Sequence, residues 1–141
     1  MTAEATIGIG VDSRDHIYII HRRDTFNWGE IGAATDPVQA DCCIPAPNVL
    51  EFDPEGNLVN HWGGPGDGYD WPSSNHGITI DQKDNLWIGG NGRSDSHILK
   101  FSRDGKFLAQ YGTPGSETDS HSKENFGSVA EVAFGPDASE A

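Results

Sequence analysis

Five places in the sequence carry residues able to do chemistry. The first is Trp71-Pro-Ser-Ser-Asn-His-Gly-Ile-Thr-Ile-Asp81, where His76 stands one residue before a glycine and a short β-branched run. A neutral imidazole in such a place can ligate a metal or exchange a proton. The second is His21-Arg-Arg-Asp24, in which a guanidinium could clamp a carboxylate with two hydrogen bonds, and Arg22 is the candidate for that role. His21 and Asp24 stand beside it as candidate pocket residues, and Trp71, next to an inter-strand loop, as a candidate pocket edge. The plainer expectations are a satisfied turn histidine, a loop ion pair worth little, and packing for the tryptophan.

The third place is the adjacent pair Cys42-Cys43, the chain's only cysteines. Neighbouring cysteines can close a vicinal disulfide or form a soft metal or redox site, and two loop thiols are the expected state. Fourth come Asp12-Ser-Arg-Asp15, Asp53-Pro-Glu-Gly56 and Asp81-Gln-Lys-Asp84, which have the flavour of calcium loops but lack the full run of alternating acids and the closing glutamate. They are expected to be hairpin turns. Last, Gly63-Gly-Pro-Gly-Asp-Gly68 lacks the Lys-Ser/Thr of a phosphate loop and carries an acid that would repel phosphate, so it reads as a link. His16, His61 and His97 are read as structural.

The elements that must position these residues come from a repeat. Gly8-Ile-Gly-Val-Asp-Ser-Arg-Asp-His-Ile-Tyr-Ile-Ile20 matches Gly77-Ile-Thr-Ile-Asp-Gln-Lys-Asp-Asn-Leu-Trp-Ile-Gly89, and the opening recurs in Glu131-Val-Ala-Phe-Gly-Pro-Asp137. Likewise Asn48–Gly63 matches His97–Gly112, each turning on an Asp-Gly or Glu-Gly pair. Each half is a hairpin, so each repeat is four short strands, the unit of a β-propeller blade. The expected fold is therefore all-β: one partial propeller over 1–141, with blade 1 at about 5–63 carrying an insertion at 21–47, blade 2 at about 76–112, and the first strand of a third blade at about 129–141. Two blades and a strand cannot close a ring, so the chain reads as a fragment. In register, the residues at the blade openings are Ile7, His76 and Ala130, and the imidazole is the polar exception.

Composition agrees and excludes other classes. The 141 residues carry 18 glycines, 8 prolines, 4 tryptophans and one methionine, which favours strands and turns over helices. Twenty-two acidic residues against 9 basic ones, a net charge of −13, argue against nucleic acid and anionic membranes as partners. No apolar run is long enough for a membrane helix, and the first residues lack the pattern of a signal peptide. The compartment is left open.

The pattern Asp-x-x-Asp-Asn-Leu-Trp-Ile, then Ile-Leu-Lys-Phe-x-x-Asp-Gly-Lys-Phe-Leu, then Gly-x-Pro-Gly resembles the NHL repeat of six-bladed propellers over nearly the whole chain. Within that group, His21-Arg-Arg-Asp24 and His76-Gly-Ile78 resemble the peptidyl-hydroxyglycine amidating lyases, zinc enzymes that cleave a hydroxyglycine-extended peptide to its amide and glyoxylate. The resemblance implies a catalytic arginine at Arg22, a zinc ligand at His76, a small-molecule or peptide substrate, and calcium held by carbonyls near the blade openings. Related proteins are often secreted or periplasmic. The segments Asp41–Pro47 and Trp62–Pro72 are more similar to a bacterial branch of lyase-like propellers. Two other readings stand beside the lyase: a non-catalytic NHL scaffold that binds a protein or ligand, and a calcium-dependent lactone hydrolase. Unpaired blade edges imply self-association as well.

Overall fold

A computed structural model describes residues 3, 5–23, 25, 31–33, 35–41, 43–116 and 121–135. It is all-β apart from one 3-10 turn at Ile31–Ala33, and its eight strands form two antiparallel four-stranded sheets. The first sheet takes β1 (Thr6–Val11), β2 (Ile17–His21), β3 (Val49–Phe52) and β4 (Leu58–Trp62) in sequence order. The second takes β5 (Asn75–Ile80), β6 (Leu86–Gly90), β7 (His97–Phe101) and β8 (Phe107–Gly112) in the same order. Both sheets are meanders of the kind expected for partial propeller blades, and β1 of the first packs against β5 of the second.

Turn chemistry explains why these hairpins form. Asp12 accepts the backbone N–H groups of Arg14 and His16 on one carboxylate oxygen, at 2.8 and 3.0 Å. Asp81 repeats this with Lys83 and Asn85, both at 2.9 Å. Each turn then passes through a left-handed residue, Asp15 at φ 62° and Asp84 at φ 59°, a conformation aspartate tolerates. The second hairpin of each blade turns instead on Gly56 and Gly105, at φ 86° and 82°. All three acidic loops are therefore turns, as their sequences suggest.

The core lies between the sheets. Tyr18, Ile20 and Val49 of the first meet Ile78, Leu86, Ile88, Leu99 and Phe101 of the second, all buried. Trp62, Tyr69 and Trp71 flank this cluster, Tyr69 packing edge-on to Phe101 at 5.1 Å. Glycine permits the close approach of β1 to β5: a Cβ on Gly8 would lie 3.1 Å from the backbone nitrogen of Ile78.

The same stacking recurs one step further on. A Cβ on Gly77, the counterpart of Gly8, would collide with the carbonyl oxygen of Ala130, the counterpart of His76. Thr79 Oγ1 donates to Val132 O at 2.7 Å, and Phe134 packs edge-on to Trp87 at 5.3 Å. Residues 129–135 thus lie on β5 as β5 lies on β1, but as irregular chain rather than a strand.

Candidate functional site at the blade openings

The inner strands β1 and β5 each begin with a break in register, between Thr6 and Gly8 in one and between Asn75 and Ile78 in the other. Such bulges bend a strand and re-aim a side chain. Ile7 and His76 occupy these bulges. The structure brings both together with Ala130 around one cleft of about 210 Å³, lined by β1 from Ile7 to Ile9, β5 from His76 to Thr79, and Ala130 with Glu131. His76, Thr79 and Glu131 supply its polar side chains. The register of blade openings read from the repeat therefore corresponds to a real convergence in space.

His76 is half-buried, and its Nδ1 lies 3.2 Å from the carbonyl oxygen of Ala130. With the proton on Nδ1 this nitrogen donates to the carbonyl, and Nε2 keeps its lone pair. That is the arrangement by which proteins orient a metal-binding imidazole. A zinc ligand at this position fits the donor chemistry. His76 is the one imidazole lining the cleft, and a catalytic zinc needs three protein ligands.

Arg22 leaves the end of β2 and crosses to the second sheet. Its Nε donates to the carbonyl of Asn75 at 3.1 Å, and Nη2 donates to Asn91 Oδ1 at 3.0 Å. It is thereby anchored to the residue preceding His76, although it does not line the cleft. Ser74 Oγ donates to the same Asn91 oxygen at 2.8 Å, which ties the entry to β5 into the network.

His21 is fully buried, with Nε2 donating to Pro47 O at 2.7 Å. Its own carbonyl accepts the side-chain amides of Asn48 and Asn75, at 3.2 and 3.1 Å. It pins the end of the insertion to the sheet. Burial lowers its imidazole below the ordinary value, against the opposing pull of the Pro47 hydrogen bond. Trp71 packs on the aromatic cluster, 6.1 Å from Phe101, rather than at the cleft. Asp24 lies outside the described residues.

Asp95 holds the chain that enters β5, away from the cleft. It is 1% exposed, and its carboxylate accepts the N–H groups of Ser73, Ser74 and Gly92 at 2.7, 2.9 and 2.8 Å, together with the Ser73 hydroxyl. Burial by itself would raise its pKa, but these donors more than reverse that and hold it below the carboxylate range. His97, read as structural, is buried with Nε2 donating to Asp70 O at 2.6 Å. The expected thiol state is corrected at the one described cysteine: Cys43 is disulfide-bonded, in a chain with a single other cysteine.

A second donor group was not anticipated from the sequence. Asp12, His16 and Glu51 present ligand atoms that all lie within 4.8 Å of one another, and both carboxylates are buried, so the group could hold a metal ion. His16 Nδ1 lies 2.7 Å from Glu51 Oε1. Here Arg14 already serves as the cation, with Nη2 at 2.7 Å from Asp12 and 3.1 Å from Glu51. A metal would have to displace it. The signal that could have revealed the group is the aligned repeat, in which Glu51 falls where the second blade has Lys100.

No known protein family matches the chain, and no curated protein matches it.

Proposed function

We propose that the chain forms part of an NHL-type, lyase-like propeller whose axial site is the cleft at the blade openings. In this reading His76 is a zinc ligand through Nε2, and Arg22, whose Nε and Nη2 hold Asn75 and Asn91, meets a carboxylate of a small-molecule or peptide substrate through Nη1. The remaining ligands and the catalytic base come from further blades. A bound zinc would polarise the hydroxyl or carbonyl at the scissile centre. The observation that supports this most is the geometry of His76: a bulged residue on an inner strand, at a concave site, with Nδ1 turned to a backbone carbonyl.

Titrating zinc into the ¹⁵N-labelled complete propeller, with the further blades that supply the other ligands, tests the reading. The expected result is a large shift of His76 Nε2, with Nδ1 staying protonated, and loss of one bound zinc in His76→Ala. Zinc that moves His16 and leaves His76 untouched would assign any metal to the Asp12 group and overturn the proposal.

A scaffold reading rests on a different observation, that Arg22 spends Nε and Nη2 on joining the two blades. It expects Arg22→Ala to weaken the fold while leaving zinc binding as it was.

A further inference from the structure

The two faces of the first sheet have unequal fates. One face packs on the second sheet. The other is exposed where the register puts Ile9 opposite Ile19, Val11 opposite Ile17, and Phe52 opposite both Ile17 and Leu58 across its two neighbours. Side chains directly opposite share a face of the sheet. Ile9, Val11 and Leu58 are 64%, 56% and 41% exposed, and Ile17, Ile19 and Phe52 lie half-buried between them.

The repeat says what such a face is for. The counterparts of Ile9, Ile17, Ile19 and Phe52 are Ile78, Leu86, Ile88 and Phe101. All four are buried, three of them at 0 or 1% exposure, and all belong to the cluster covered by Tyr18, Ile20 and Val49 of the neighbouring blade. The same residue types at the same strand positions are thus a finished blade interface in the second sheet and an open one in the first. The counterparts of Tyr18 and Val49 are Trp87 and Ile98, on the outer face of the second sheet.

That outer face is covered by the chain's own segment 129–135, whose grip is light. It makes no strand ladder and is held at Thr79, at His76 and by the contact of Phe134 with Trp87.

We propose that the Ile9, Val11 and Phe52 face is a docking surface for a second copy of this chain, which presents the Trp87 and Ile98 face of its second sheet. The contact is head-to-tail and repeats the interface already present between the two blades. To make it, β1 of one copy replaces segment 129–135 of the other. Association of this kind takes Ala130 and Glu131 away from His76 and the cleft, so it is an alternative to the zinc site described above rather than an addition to it.

Sedimentation velocity over a range of concentrations tests it on the full chain. Wild type self-associates reversibly. Ile9→Asp combined with Val11→Asp weakens association at least tenfold while leaving the far-ultraviolet spectrum unchanged, because both side chains are exposed. Phe134→Ala loosens the covering segment and tightens association at least threefold. Leu108→Asp, at an exposed apolar residue of β8, leaves it unchanged. A chain that stays monomeric, or that associates equally well with both aspartates in place, overturns the proposal. So does ready cross-linking of Ile9→Cys to itself, which would put two first sheets face to face.

Discussion

Glu51 on β3 and Lys100 on β7 occupy the same place in their blades with opposite charge, and each blade balances its turn aspartate differently. In the second blade Lys100 Nζ lies 3.6 Å from Asp81, whose carboxylate also accepts Trp87 Nε1 at 2.9 Å. In the first, Glu51 adds a second buried carboxylate, and the compensating cation is Arg14, brought in from the turn itself. Burial alone would raise the pKa of Asp12, but the Arg14 hydrogen bonds and the turn N–H groups lower it overall. The donor group at Asp12, His16 and Glu51 is thus a variant of a balance that both blades need.

Arg14→Ala leaves two buried carboxylates facing each other with no guanidinium. The side chain is 39% exposed, so the loss falls between that of a surface pair and a buried one, about 1–3 kcal/mol. Adding Glu51→Lys rebuilds the arrangement of the second blade and recovers most of the stability. Urea unfolding of the two singles and the double gives the coupling directly; a double variant as weak as the sum of the singles would refute the compensation.

His21 makes stability depend on pH near neutrality. Its folded imidazole titrates below the ordinary value of 6.5, so the unfolded chain binds the proton more readily. The contribution is fully present above pH 6.5 and is lost as pH falls through the lowered folded value. His21→Gln should flatten the fall in unfolding free energy between pH 7.5 and 5, measured by denaturant titration at each pH.

The hairpins, their order and the pairing of repeats were legible in the sequence, because strand alternation and Asp or Gly turns are local signals. The convergence of Ile7, His76 and Ala130 was legible too, since it follows from repeat register alone. The bulges that aim Ile7 and His76 were not, because a bulge is a relation between two strands. Nor was the state of residues 129–135: their apolar pattern matches an opening strand, but a strand also needs a partner beside it, and among the described residues this segment lies on the face of β5 and pairs with no strand edge. The inter-blade hydrogen bonds of Arg22 likewise belong to packing rather than to the motif around it.

Gly8 and Gly10 both face β5, and they should differ in tolerance. A Cβ on Gly8 would meet Ile20 Cγ2 at 2.9 Å and the backbone of Ile78 and His76 at 3.1 and 3.3 Å, whereas on Gly10 the close atoms are those of the Ile80 side chain. Backbone cannot rotate away and a side chain can. Gly8→Ala should therefore cost about 1–3 kcal/mol, and Gly10→Ala less. Thermal unfolding of the two variants checks the order.

Asp95→Asn probes how the entry to β5 is held. The carboxylate accepts three backbone N–H groups and a hydroxyl in a buried site, and an amide presents one acceptor oxygen and two N–H groups to the same donors. Loss of charge-assisted bonds of this kind costs about 2–3 kcal/mol at pH 7. The folded pKa of Asp95 is depressed, so its contribution is present above the ordinary value of 3.8 and disappears as pH falls through the folded value. The gap between wild type and Asp95→Asn should then shrink as the solution is acidified below pH 3.8. The same variant should speed hydrogen exchange at Ser73, Ser74 and Gly92. Because Ser74 is followed directly by Asn75 and His76, the imidazole resonances of His76 should broaden with them; a sharp, unmoved His76 would show that the bulge holds its geometry without the Asp95 hydrogen bonds.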